Sequence, residues 1–66
     1  MRIELEHQGE TLVFETEEPI TINGVLDRLG IPSSTVLTVH EDAIVPHTSI
    51  IQKDLRLELV VVSSGG

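Results

Sequence analysis

Leu55-Arg56-Leu57-Glu58-Leu59-Val60-Val61-Val62-Ser63-Ser64-Gly65-Gly66 is the stretch around which the rest of the chain organises itself. Its first eight residues alternate. Leu55, Leu57, Leu59 and Val61 point one way, and Arg56, Glu58, Val60 and Val62 the other, which is the two-residue period of a strand. Val60 and Val62 make the second side apolar as well. The strand is therefore expected at the centre of a sheet, or with its second face against a partner. Two serines and two glycines follow. Neither serine has a spaced base or an oxyanion cradle, so both read as spacers rather than nucleophiles. Gly65 and Gly66 carry no Cβ and are free in φ, which suits a slender segment that passes through a narrow channel. A loose terminus would have the same composition. The division expected is a folded domain over 1–62 and a tail over 63–66.

Working back from that strand, the N-terminal half supplies a hairpin and a helix. Met1, Ile3, Leu5 and His7 alternate with Arg2, Glu4 and Glu6, predicting a half-buried strand. Gln8-Gly9-Glu10 reads as its turn, and Thr11 to Thr16 as a second strand with Leu12 and Phe14 inward. The period then changes: Ile22, Val25, Leu26 and Leu29 form one stripe of an amphipathic helix. Thr21 is placed to cap it, Ile20 to staple onto Val25, and Gly30 with Pro32 to end it. Gly24 in the first turn costs up to about 1 kcal/mol against Ala, and a close approach of the helix to the sheet would account for it. Val36 to His40 reads as a third strand, Glu41-Asp42 as a turn, and Ala43-Ile44-Val45 as a short fourth strand stopped by Pro46. His47 to Asp54 reads as an irregular connection anchored by Ile50 and Ile51. The expected class is α+β, a mixed four- to five-stranded sheet with one packed helix.

Composition narrows what such a domain does. Eleven acidic residues against four basic give a net charge of −7, which repels phosphate backbones and favours a basic protein surface as partner. Phe14 is the only aromatic residue, too few for a base-stacking surface. With no cysteine, disulfides, thiolate catalysis and cysteine zinc sites are excluded. No apolar stretch is long enough to span a membrane, and Met1-Arg2 leads straight into a strand, so a cytoplasmic chain without membrane contact is expected.

The order strand-strand-helix-strand-strand-strand, with Ile44-Val45-Pro46 after a turn, the Asp54 to Val62 closing strand and Gly65-Gly66, resembles the ubiquitin-like β-grasp. More closely it is similar to the small sulfur carriers: the thiamine-pathway carrier, the molybdopterin synthase small subunit and the small ubiquitin-like modifiers of archaea and bacteria. The resemblance spans the chain. It implies a protein cosubstrate with no catalysis and no bound cofactor of its own, monomeric when free. A ubiquitin-activating-type enzyme would use ATP to adenylate the Gly66 carboxylate, because an unactivated carboxylate is a poor electrophile. A sulfur donor would convert the terminus to a thiocarboxylate, and an acceptor enzyme would take the sulfur for tRNA thiolation, thiamine or molybdopterin. In the modifier branches the activated Gly66 acylates lysines of target proteins instead. Glu41-Asp42 replaces the Asn/Asp-Gly of many relatives, and Ser63-Ser64 the bulkier residues of several, which leaves the pathway open.

If Val36, Thr38 and His40 point inward, Leu37 and Val39 join Val60 and Val62 in an apolar patch on the outer sheet face. Ubiquitin-like proteins meet their activating enzymes through such a patch, and exposed apolar clusters generally mark interaction sites. The opposite parity would bury these four side chains and expose Val36. His7, His40 and His47 lie on different elements without metal-ligand spacing, so no metal is expected. Lys53, the only lysine, is a solvated loop charge or, in the modifier reading, the one side-chain amine available for self-conjugation.

Overall fold

The computed structural model describes residues 1–62. Alternation produces the first hairpin: β1 (Arg2–His7) and β2 (Glu10–Glu15) pair antiparallel, from Arg2 opposite Glu15 to His7 opposite Glu10. The second strand therefore begins one residue before Thr11, and the turn is Gln8-Gly9 alone. Both residues have positive φ, 51° and 82°, the turn geometry whose twist matches that of the flanking strands. A second hairpin repeats it. β4 (Val36–His40) is joined to β5 (Ala43–Val45) through Glu41 and Asp42 at φ 51° and 68°. Here no glycine relieves the left-handed backbone, and each residue bears a cost of roughly 1 kcal/mol for its Cβ.

Between the hairpins lies α1 (Ile22–Leu29). Thr21 caps it as expected, its Oγ1 accepting from the Gly24 amide at 3.0 Å. Gly30 ends it at φ 75°, with Gly30 N donating to Asp27 O and Ile31 N to Leu26 O, the paired bonds of a glycine-terminated helix. A Cβ on Gly24 would stand 2.8 Å from Cγ1 of Ile20 and 3.3 Å from Oγ1 of Thr21. The glycine thus makes room for the Ile20 side chain folded over the first turn. It is not explained by close backbone approach to the main sheet.

The connection from His47 to Asp54 is more ordered than its sequence suggests. β3 (Ile20–Thr21) and β6 (Ile50–Ile51) pair as a separate two-stranded sheet. Ser49 O and His47 O accept the Ile22 and Asn23 amides at 3.1 and 2.9 Å. Together with Thr21, this loop satisfies three first-turn donors that a helix cannot satisfy itself. Ile51 is buried, whereas Ile50 is 59% exposed, so only one of the two isoleucines anchors the segment. A short 3₁₀ turn over Ser33–Thr35 leads into β4.

The final strand, β7 (Leu55–Val61), runs parallel to β1 and antiparallel to β4, giving a mixed five-stranded sheet of order β2-β1-β7-β4-β5. β7 is central, as its two apolar sides predict. Its inner face, with Ile3, Leu5 and Val36, closes on Ile22, Val25 and Leu26 of α1 and on Ile51 to make the core. Leu12 and Phe14 are partly buried against it. Val61 departs from expectation: it is 45% exposed. Pairing with β1 stops at Leu59, so Val61 has a neighbouring strand on the β4 side only.

Candidate functional site

Register decides what the outer sheet face displays, because residues directly opposite in adjacent strands share a face. Leu37 lies opposite Val60, and Val39 lies opposite both Glu58 and Ile44. Leu37 and Val60 are each 38% exposed, Val62 is 46% and Val39 is half-buried. Val36 and Thr38, on the other parity, are fully enclosed. The four patch residues therefore sit on or beside one surface at the C-terminal end of β7, where the Val62 amide still donates to Thr35 O at 2.8 Å. Ile44, 68% exposed, belongs to the same surface. The two-residue Glu41-Asp42 turn carries the signal: counting the alternation across it places Ile44 opposite Val39. Gly65 and Gly66 lie outside the described residues, as do Ser63 and Ser64.

The β1 side of this face is charged. Glu4 lies opposite Arg56, and Glu6 opposite Glu58. Arg56 reaches diagonally to Glu6, Nη2 to Oε2 at 2.8 Å, while Arg2 Nε stands 3.7 Å from Glu4 Oε2. The hydrogen bond and charge of Glu6, assisted by Glu4, raise the Arg56 pKa further above its already high ordinary value. Arg56 is permanently cationic. One straight row crosses all five strands: Thr11, Glu6, Glu58, Val39, Ile44. It passes from polar through acidic to apolar, and it was not visible in any local sequence pattern because it depends on the parallel pairing of β1 with β7.

Lys53 is exposed in the bend between β6 and β7. It lines an open depression with Glu6, His40, Asp54, Arg56 and Glu58, where opposite charges are mixed and no apolar enclosure for a small ligand forms. Asp54 is occupied structurally, its Oδ1 accepting the Arg2 amide at 2.7 Å. His40 stands at the margin of the core rather than inside it. Its Nδ1 is 3.0 Å from Arg56 O and its Nε2 3.9 Å from the Glu41 carboxylate. Among the described residues no three His, Asp or Glu side chains are positioned to hold a metal ion, and no helix is long and apolar enough to cross a membrane. The chain matches no protein-family model, and no curated protein is significantly similar to it in sequence.

Proposed function

We propose that this chain is a ubiquitin-like sulfur carrier of β-grasp fold, a protein cosubstrate whose reactive group is the carboxylate of Gly66. The observation that carries the reading is the placement of β7. It is the central strand, parallel to β1, and it leaves the sheet beside the exposed Leu37, Val60 and Val62 with Ser63-Ser64-Gly65-Gly66 next in sequence. β7 is paired on both sides as far as Leu59 and stays bonded on the β4 side through Val61 and the Val62 amide, which supports its use as a base for the segment that follows. The apolar cluster next to it offers an activating enzyme a surface from which the diglycine reaches an ATP site.

The chemistry then belongs to the enzyme. The Gly66 carboxylate attacks the α-phosphate of ATP and pyrophosphate leaves. A persulfide sulfur attacks the acyl carbon and AMP leaves, and a thiol cleaves the sulfur–sulfur bond to free the thiocarboxylate. The adenylate supplies the leaving group that a cysteine-free chain cannot supply. The acceptor is tRNA, a thiazole precursor or a pterin. The partners are the activating enzyme, a sulfur donor and an acceptor enzyme, in the cytoplasm.

The test is ATP–pyrophosphate exchange with the adenylating enzyme of the source cell, together with intact mass of protein purified from that cell. Exchange and a sulfur-for-oxygen substitution at Gly66 are expected. Deleting Gly66, or Gly65→Leu, should abolish exchange with the circular dichroism spectrum unchanged. Undiminished exchange by a C-terminally extended variant would overturn the reading. Diglycine remnants on lysines, Lys53 included, would move the assignment to a conjugated tag.

A further inference from the structure

Glu58 occupies an unusual place for a carboxylate. It stands in the central strand, directly opposite Glu6 on one side and Val39 on the other, and is followed on the same face by Val60. Like charges directly opposite in adjacent strands are destabilising. Arg56 is engaged with Glu6 at 2.8 Å, and Lys53, which lines the same depression, forms an ion pair with neither carboxylate. Among the described residues the Glu58 carboxylate has neither a hydrogen-bond nor an ion-pair partner. Glu58 is exposed, and a neutral side chain at this position is expected to fold at least as well. Local violations of that kind in an otherwise consistent sequence are expected where a surface serves binding.

From this arrangement we infer that the outer sheet face is completed by a basic protein surface, on which an Arg or Lys meets Glu58 while an adjacent apolar group covers Leu37 and Val60. The inference deepens the carrier reading, on which it rests only for taking the activating enzyme as the first protein to seat there. Charge complementarity selects this occupant over a second copy of the chain. Two outer faces brought together would set three carboxylates, Glu4, Glu6 and Glu58, and only two cations, Arg2 and Arg56, already engaged with Glu4 and Glu6, against the same set, in a protein of net charge −7. A wholly apolar partner would strip water from Glu58 without replacing it, which a desolvated carboxylate does not tolerate. A cation beside an apolar group resolves both, and it also gives the encounter an electrostatic component.

Position-specific crosslinking in the source cell tests the inference without presuming the partner. p-Benzoylphenylalanine is placed at Leu37, with Val62 as a second outer-face site and Asp27, exposed on α1, as the control site. Crosslinked peptides are mapped by mass spectrometry. Leu37 and Val62 should crosslink to a peptide bearing Arg or Lys beside apolar residues, and the Asp27 site should not. Glu58→Lys should lower the yield roughly tenfold, about 1.4 kcal/mol, and Glu58→Gln by less. Glu17→Lys, the same charge change away from the face, should leave it unaltered. Both Glu58 variants should melt no lower than the parent chain. A yield indifferent to Glu58→Lys, a crosslinked surface without a cation, a crosslink to a second copy, or no signal above the Asp27 control would each overturn the inference. If the charge-dependent partner proves not to be an adenylating enzyme, the carrier proposal fails while this one stands.

Discussion

On the inner face of the sheet, Ile3, Leu5, Leu57 and Leu59 are at most 4% exposed; on the outer face, Leu37, Val60 and Ile44 are 38%, 38% and 68% exposed. The central strand β7 supplies both sets, by alternation: Leu57 and Leu59 inward, Val60 outward. The inner set is closed by α1 and the Ile51 loop. The outer set has no such cover among the described residues; the face is charged where β1 meets the first half of β7 (Glu4, Glu6, Arg56, Glu58) and apolar where the end of β7 meets β4 and β5 (Val60, Leu37, Val39, Ile44). Folding thus accounts for the apolar residues of the first face and hardly for those of the second. In the proposed function the outer apolar half is where a partner binds.

The largest effect that distinguishes the faces is a truncation on β7. Leu57→Ala empties a fully enclosed site and should cost about 2–5 kcal/mol, read as a lowered urea midpoint at unchanged slope. Val60→Ala, three residues away, should cost less than about 1 kcal/mol. Equal losses would mean that the outer face is part of the core.

Second in size is an effect on association. Val60→Asp places a carboxylate where an apolar contact is proposed and should weaken binding to the proposed activating enzyme by ~2 kcal/mol, measured by titration calorimetry. The melting temperature should hardly change. A large fall in melting temperature with unchanged affinity would reverse the assignment of the two faces.

Much of this contrast was legible in the sequence, and the boundary of legibility is physical. The alternation through Leu55 to Val62 and the stripe Ile22, Val25, Leu26, Leu29 are local periodicities, and they yielded the central strand and the packed helix. Thr21 and Gly30 are local too, since each acts within a turn of its own position. Gly24 was opaque because its reason, the Ile20 side chain over the first turn, depends on how the entering chain folds back. The pairing of Ile50–Ile51 with Ile20–Thr21 was hidden because two residues are too few to show a period. The Glu6 and Glu58 confrontation was hidden for another reason. It requires the register of a parallel pair separated by most of the chain, which no window of sequence contains.

A third, smaller effect concerns Thr38, the one buried polar side chain among the described residues. Thr38 is 0% exposed and its Oγ1 has no hydrogen-bond partner. It lies opposite Leu59 and Val45. Thr38→Val keeps the shape and removes an unpaired hydroxyl, so it should raise stability by about 1 kcal/mol. Association at the outer face should not respond. A loss of stability would show that the hydroxyl is satisfied in solution, by a buried water for instance.

The smallest effect belongs to the charged half of the outer face. Arg56 is 63% exposed at its side chain and Glu6 45%, and ion pairs this open contribute little. Arg56→Gln nevertheless does two things: it removes the pair, and it leaves Glu6 and Glu58 opposite one another with no intervening cation. The expected outcome is a slight fall in melting temperature at low ionic strength that vanishes near 1 M salt, where the screening length falls to about 3 Å. Adding Glu58→Gln to Arg56→Gln should recover most of the loss, because the repulsion goes with the carboxylate. If the double variant is no more stable than Arg56→Gln alone, Glu6 and Glu58 do not repel appreciably. The outer face would then carry no stored cost for a basic partner to relieve.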